Sequence, residues 1–197
     1  GGRSTMGSVL TYMLEVIESQ ETSASQKRKA FDGLLAFVDE ASTNYGDDFY
    51  YAGEYREKIM TVCLAEVKYR VTTSDSSNIS NEKLGTLMKK NMSNSALDRM
   101  MDDESVFIWI FDGICNGENE DHMIFSSILS EFAINSEMEH RVTLIVRHFN
   151  GLKAAFNSIF SRCVISVDTM QGFFENDDGY EMAGLFAVLP TAFARWL

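Results

Sequence analysis

Adjacent acidic residues are the most frequent arrangement in this sequence that could do chemistry. They occur at Asp47-Asp48, Asp102 to Glu104, Glu120-Asp121 and Asp177-Asp178. General acid–base catalysis by two carboxylates needs an enclosed pocket that separates their pKa values. Here the pairs fall in predicted turns and in the first turns of predicted helices, where the helix dipole favours acidic side chains for structural reasons. We therefore assign no catalytic residue to them.

Histidine and cysteine are few and widely spaced. The residues are His122, His140, His148, Cys63, Cys115 and Cys163. A zinc site needs more ligands at short spacing. We expect His140 and His148, which neighbour arginines, to lie on the surface, and the cysteines to be small buried hydrophobic side chains in a reducing compartment. Because glycine-rich phosphate loops and a nucleophile elbow are also absent from the sequence, we predict no metal, no cofactor and no enzyme activity.

The window 112–123 resembles the calcium-binding loop of an EF-hand. The matching loop positions are 1, 5 and 6, which hold Asp112, Asn116 and Gly117. The preceding stretch 84–101 is similar to a calmodulin-like helix pair. Two decisive ligands are missing, because position 3 is Ile114 and position 12, which needs a bidentate Glu, is Met123. The resemblance implies a degenerate, calcium-sensor-like helical module that keeps the helix pairing without binding calcium.

Aromatic and acidic residues are concentrated between positions 45 and 55, in a predicted loop and helix start. They are Tyr45, Asp47, Asp48, Phe49, Tyr50, Tyr51 and Tyr55. We call this stretch the acidic–aromatic segment. So many aromatic side chains in a short stretch cannot all point to one core, and exposed Tyr and Phe flanked by acids have the composition of interface hot spots. We predict that the segment binds a protein partner; the alternative is that some of its rings plug the end of a helical bundle.

The strongly acidic composition bounds the kind of partner. The chain has 17 basic and 29 acidic residues, which gives a formal net charge of −12. Between Arg99 and Arg141 there are ten acidic residues and no Lys or Arg. Since affinity for nucleic acid comes mainly from Lys and Arg contacts to phosphate, we expect no direct nucleic-acid binding. A basic protein partner suits such a surface, and self-association as a homo-oligomer stays open.

Apolar residues recur at every third or fourth position, which predicts helices along most of the chain. The inward stripes are Ala30, Phe31, Leu34, Leu35 and Val38; Tyr55, Ile59, Val62, Cys63 and Val67; Met123, Ile124, Ile128, Leu129 and Phe132; and Val142, Leu144, Ile145, Val146 and Phe149. Only Val164 to Val167 has strand character. We predict an all-α fold of about nine or ten short helices with little or no strand, either a compact multi-helix bundle or a short helical-pair array.

Capping residues and glycines predict where the helices begin and end. The predicted N-caps are Ser23 or Ser25, Asn81, Ser95, and Ser136 with Glu139 in a capping box. A loop is expected from Thr43 to Gly53. The apolar run from Val106 to Phe111 is predicted to be a buried helix that ends at Asn116-Gly117, and Asn150-Gly151 is predicted to interrupt a helix.

Polar and small residues predict the domain organisation. Residues 1–8 have the composition of a cloning scar, residues 9–71 form an N-terminal helical part, 72–80 a polar linker, and 81–197 an acidic C-terminal helical part. One continuous domain over 9–197 is the alternative. No apolar run approaches the roughly 18–20 residues of a membrane helix. We therefore predict no transmembrane segment and an intracellular location, cytoplasmic or nuclear.

Together these features predict a non-enzymatic protein-interaction or scaffolding domain that binds its partner through the acidic–aromatic segment. The EF-hand-like module is one alternative. A viral structural or matrix protein is another if Met6 is a native start, because Met6, Gly7 and Thr11 fit an N-myristoylation pattern. An active site assembled from distant helices stays open, since spacing in the sequence does not exclude it.

Overall fold

The computed structural model shows helices and no strand among the residues that it describes. Those residues are 8, 11, 12, 14–16, 18, 19, 21, 23–45, 53–73, 77–117, 119–157 and 196. Seven helices have defined bounds in this part of the chain: α1 Ala24–Tyr45, α2 Gly53–Thr72, α3 Asn81–Lys90, α4 Asn94–Asp102, α5 Glu104–Asn116, α6 Asn119–Ile134 and α7 Met138–Ala155. The described residues from 8 to 18 are also helical. The all-α prediction is confirmed, with slightly fewer helices than the predicted nine or ten. The strand-like run Val164 to Val167 and the residues Met6, Gly7 and Cys163 lie outside the described residues.

The chain forms two compact units, Gly1–Ala96 and Leu97–Leu197, and α4 contains the division between them. In the first unit α2 contacts both α1 and α3, and in the second unit α5 contacts both α6 and α7. The segment that the sequence favours as a linker, residues 72–80, belongs to the first unit. There Ile79 is buried, and the Ser77 hydroxyl donates a hydrogen bond to Asp32 of α1 (Oγ–Oδ1, 2.6 Å).

The predicted apolar stripes of α1 and α2 form the core of the first unit. Every predicted inward residue of α1 is buried, and so are the four of α2 from Ile59 to Val67. The amphipathic α3 adds Leu84, Leu87 and Met88. Full burial of one such side chain stabilises a fold by about 1.5–3 kcal/mol, so these stripes account for the packing of α2 between its two neighbours.

Helix α5 is the centre of the second unit. Its apolar run is buried on several sides, with Val106, Phe107 and Ile110 fully covered, which confirms the predicted buried helix. The predicted stripe of α7 is buried throughout. On α6 one prediction is wrong: Met123 is 71% exposed. The buried face of α6 runs through Phe125 and Ile128, and a residue five positions before Ile128 points away from that face because each residue turns the helix by about 100°.

Hydrogen bonds to serine hydroxyls identify the N-cap residues of three helices. Ser23 caps α1 in a reciprocal capping box, since its Oγ accepts from Gln26 N (3.2 Å) and Gln26 Oε1 accepts from Ser23 N (3.0 Å). The cap of α3 is Ser80, whose Oγ accepts from Lys83 N (3.1 Å), and the cap of α4 is Ser93, whose Oγ accepts from Ala96 N (3.2 Å). Asn81 and Ser95 were therefore wrong predictions, because each lies already inside its helix.

The second unit corrects two further boundaries. Ser136 is not a cap: its hydroxyl donates to Phe132 O of the preceding helix (2.8 Å), and α7 begins after Glu137 without a side-chain cap. Helix α7 also continues through Asn150-Gly151, so the predicted interruption is wrong. In the first unit, α1 extends to Tyr45, three residues into the predicted loop.

Candidate functional site

The acidic–aromatic segment lies mostly outside the described residues. Its central residues Asp47, Asp48, Phe49, Tyr50 and Tyr51 are not described. Tyr45 is the last residue of α1 and Tyr55 lies in the first turn of α2, but the positions of their side chains are outside the description as well. The segment thus separates α1 from α2 in the sequence, and partner binding by it stays a prediction.

The EF-hand-like window folds as parts of two helices. Asp112 to Asn116 belong to α5, and Asn119 to Met123 belong to α6. A calcium loop needs its oxygen ligands on one continuous loop of twelve residues. In this structure most of the window is helical, so the calcium-type loop that the resemblance implies is not formed. Within the described ranges, no three His, Cys, Asp or Glu side chains come together as a metal site.

The two described cysteines are held as neutral thiols. Burial raises the pKa of Cys63 from 9.0 to about 12, and the neighbouring charge of Glu66 adds to the shift. Burial likewise raises the pKa of the half-buried Cys115 to about 12, with a further contribution from Asp112. Since the thiolate is the nucleophilic form, neither side chain is prepared for nucleophilic attack near neutral pH.

The histidines differ from one another in burial. His140 is exposed, as predicted, and its ring lies 5.5 Å from that of Phe132, tilted by 40°. His148 is buried, so its predicted surface position is wrong. Its Nε2 lies 2.7 Å from Met101 O and its ring lies 4.9 Å from that of Phe107. The hydrogen bond satisfies a carbonyl at the end of α4, which gives His148 a structural role.

A buried cluster of charges holds the first unit together. Glu66 on α2 is fully buried, and its Oε1 accepts from Arg28 Nη1 and from Arg70 Nε, both at 2.6 Å. Arg28 also pairs with Asp32 at 3.3 Å, and Arg70 donates to Ile79 O at 2.6 Å. All hydrogen bonds described in this cluster run within the unit, so the cluster fits a structural part of the protein.

The second unit contains a cavity of about 520 Å³ beside α6, which we call the α6 pocket. Helix α6 contributes His122, Ser126, Leu129, Ser130, Ala133 and Ile134, and Arg141 of α7 and Trp196 complete its described lining. His122, Ser126 and Ser130 follow at intervals of four residues, and Leu129 and Ala133 at a further four. Residues four apart lie above one another on a helix, so α6 presents one continuous face to the cavity.

The polar groups of the α6 pocket are incompletely satisfied. Ser126 Oγ and Arg141 Nε are buried and have no hydrogen-bond partner within the part of the chain that the structure describes. Leaving such a group unpaired costs about 1–3 kcal/mol. By contrast Ser130 Oγ donates to Ser126 O at 2.8 Å, and His122 Nδ1 lies 3.1 Å from Ile114 O. The pocket is therefore lined by a hydroxyl and a cationic side chain that have no acceptor within the described residues.

Apolar residues form the rest of the pocket. Trp196 is 5% exposed, and its ring lies 5.8 Å from that of Phe132 and 6.2 Å from that of Phe107. Ile134 at the end of α6 is 78% exposed. The pocket thus combines a buried aromatic ring, a polar row and an apolar side chain that extends into solvent.

None of the pocket residues was predicted as a site from the sequence. The four-residue spacing of His122, Ser126 and Ser130 on a predicted helix was a visible signal, although such rows are common on solvated faces. The decisive property of Arg141, the lack of an acceptor for its Nε, depends on which acids come near it in the fold. The burial of Trp196, which lies 41 residues after Ala155 at the end of α7, has no signal in the local sequence either.

Comparison of the chain with protein-family models, with curated proteins and with solved structures finds no match. A search of the described helices for one long and apolar enough to cross a membrane also finds none.

Proposed function

We propose that this chain is a non-enzymatic protein-interaction or scaffolding domain, and that its second unit binds a segment of a protein partner in the α6 pocket. The observation that carries this proposal is the length of α6 that lines the pocket. From His122 to Ile134 the lining runs along α6 for roughly 18 Å at a rise of about 1.5 Å per residue. A peptide of about five extended residues spans that length, and an elongated groove on a helical domain is a recurrent site for peptide segments.

The exposed side chain of Ile134 supports a macromolecular partner over a small ligand. An enclosed small-molecule site buries most of its ligand within the cavity, whereas Ile134 leaves 78% of its surface outside. A protein segment that fills the pocket and continues past the end of α6 would cover this surface as well. Burial of apolar area on both sides would then favour the complex.

The arrangement of Ser126 and His122 supports a binding role over catalysis. A serine nucleophile needs a base within hydrogen-bond reach. His122 stands one turn before Ser126 on α6, but its Nδ1 faces Ile114 O, and the Ser126 hydroxyl has no hydrogen-bond partner among the described residues. The pair is therefore better suited to holding a ligand than to attacking one.

We retain two further parts of the proposal. The acidic–aromatic segment, with Phe49 and Tyr51 at its centre, is a second surface for a protein partner, in the first unit. An intracellular location is proposed from the thiols, because Cys63 and Cys115 are both free and a reducing compartment keeps cysteines in that state.

Selection of peptides from a random display library on the whole chain tests the proposed function. Ser130→Trp places a large ring in the pocket from an exposed position on α6, and Lys153→Trp adds the same ring at an exposed position of α7 away from the lining. We expect peptides that lose at least tenfold in affinity on Ser130→Trp and keep it on Lys153→Trp, with equal melting temperatures for the two variants. Phe49→Ala and Tyr51→Ala in the same assay should weaken any peptide that uses the acidic–aromatic segment without lowering the melting temperature.

Failure to select any peptide would contradict the proposal. So would peptides that bind Ser130→Trp and Lys153→Trp equally well and are also indifferent to Phe49→Ala and Tyr51→Ala, because neither proposed surface would then take part.

A further inference from the structure

We infer that the α6 pocket recognises a peptide segment that carries one central carboxylate between basic residues. This inference rests on the proposed function and specifies the chemistry of the partner. It depends on three observations: the state of Arg141, the composition of the pocket around it, and the charges on the surrounding surface.

Arg141 is a cation without a matching anion in the described part of the chain. Its neighbour on the same helix, Arg147, pairs with Asp102, whereas no ion pair involves Arg141 within the described residues, and its Nε is buried without an acceptor. A guanidinium stays charged at any physiological pH and matches the geometry of a carboxylate. A carboxylate on a bound ligand would form an ion pair with this guanidinium group.

The acidic residues closest to Arg141 in the sequence do not act as its anionic partner. Glu137 and Glu139 precede it and both are exposed, and neither forms a salt bridge with it among the described residues. Arg141 instead lines the same pocket as Ser126, whose hydroxyl has no hydrogen-bond partner within the described residues. A charged donor in a partly buried pocket favours an anionic oxygen over an amide.

Apolar lining that follows Ser126 along α6 indicates where the rest of the segment lies. Leu129 and Ala133 share the face of α6 with Ser126, and Ile134 continues that face to the exposed end of the helix. Apolar side chains next to the carboxylate would cover these residues. A bare carboxylate would leave them in water, which is why a peptide is a better occupant than a small anion.

Charge outside the pocket indicates which residues of the peptide lie on either side of its carboxylate. Glu131, Glu137 and Glu139 are exposed on α6 and at the start of α7, and the chain as a whole carries a net charge of −12. A peptide with several acids would be repelled by this surface. Basic residues on either side of the single carboxylate would instead meet opposite charge.

Three synthetic peptides test the inference on the whole chain. They share an apolar core of leucines with lysines at both ends and differ only at the central residue, which is Glu, Gln or Lys. Binding is measured by calorimetry on the wild type, Arg141→Met, Arg141→Lys, Ser126→Ala and Ser130→Trp, with circular dichroism as the check on folding. Sodium hexanoate serves as a probe for a free carboxylic acid.

The wild type should bind the Glu peptide about tenfold or more tightly than the Gln peptide, and the Lys peptide least. Arg141→Met should bind the Glu and Gln peptides alike, and Arg141→Lys should recover part of the preference. Ser126→Ala should weaken the Glu peptide most.

Each other outcome has a distinct meaning. Binding without preference for Glu, or hexanoate binding as tight as the Glu peptide, overturns the inference and leaves the proposed function standing. A preference for Glu that survives in Arg141→Met also overturns it. Peptides that bind Ser130→Trp as well as the wild type show that the pocket is not used, which defeats both proposals at this site.

Discussion

Among the described residues of the first unit, Glu66 is the one buried carboxylate. A carboxylate removed from water is stable only when opposite charges and hydrogen bonds replace its hydration. Arg28 and Arg70 do this from two directions at 2.6 Å. Burial lowers the pKa of Arg28, but its hydrogen bonds to Glu66 and Asp32 and their charges offset this, and the net pKa is raised. The cluster thus depends on Glu66, which lies between the two guanidinium groups.

We expect Glu66→Gln to destabilise the first unit by about 3–5 kcal/mol, because two partly buried guanidinium groups would lose their shared anion. The matched control is Asp39→Asn, which removes a partly exposed ion pair with Lys83 (2.9 Å) and should cost about 1 kcal/mol or less. Urea denaturation of both variants measures the difference. Equal losses for the two substitutions would show that the buried cluster adds no more than a surface pair.

The residue scale also marks the limit of prediction from the sequence. The buried apolar positions of α1 and α7 followed from periodicity, because burial of a stripe is a property of one helix. The ion pairs of Glu66 did not follow from periodicity, since Arg28 lies 38 positions away in the sequence. Arg141 and Arg147 have similar sequence contexts, and only the fold gives one of them Asp102 and leaves the other facing a pocket.

Helix boundaries were predicted to within a residue or two where local hydrogen bonds decide them. Within the described residues the Ser23 hydroxyl bonds to Gln26 of its own helix and caps α1, whereas the Ser136 hydroxyl donates to Phe132 O of the preceding helix. A serine between two helices can serve either one, and the sequence alone does not indicate which. The predicted interruption at Asn150-Gly151 is wrong for a related reason. Helix α7 has buried residues on both sides of Gly151, and their tertiary packing overrides the weak helix propensity of these two residues.

Two glycines within helices show why propensity is a poor guide in a packed unit. A Cβ at Gly113 of α5 would overlap the ring of Phe125, which is fully buried and packs edge-on against Trp109 with centroids 4.6 Å apart. A Cβ at Gly151 of α7 would meet only the carboxylate end of Glu104, an exposed and flexible side chain. Glycine is thus required for close packing of two helices at position 113, but it is not required at position 151.

We expect Gly113→Ala to destabilise the second unit by about 1–3 kcal/mol, because the ring of Phe125 would have to move within a packed core. Gly151→Ala should be neutral or stabilising by up to about 1 kcal/mol, since Ala is the better helix former and Glu104 can rotate away. Thermal and urea denaturation of the two variants measure this contrast. If Gly113→Ala is as stable as Gly151→Ala, the contact between α5 and α6 is looser than the structure indicates.

At the scale of the whole molecule, net charge and the local site act on a partner over different distances. The charge of −12 attracts basic residues from solution, and salt screens this attraction. The contact between Arg141 and a carboxylate acts within a partly buried pocket, where salt has less influence. Composition alone predicts the first effect, whereas the second needs the three-dimensional arrangement of α6, α7 and Trp196.

Salt should therefore separate the two effects in the lysine-flanked peptides. Raising ionic strength from 0.01 to 0.15 M shortens the screening length from about 30 Å to about 8 Å, so we expect the affinity of the Glu peptide to fall roughly tenfold, mostly through slower association. The ratio of Glu to Gln affinity should stay nearly constant, because both peptides carry the same lysines. A control peptide with glutamates in place of those lysines should bind more tightly as salt increases. Stopped-flow measurements across this range provide both quantities, and a Glu-to-Gln ratio that collapses with salt would place the carboxylate in solvent instead of in the α6 pocket.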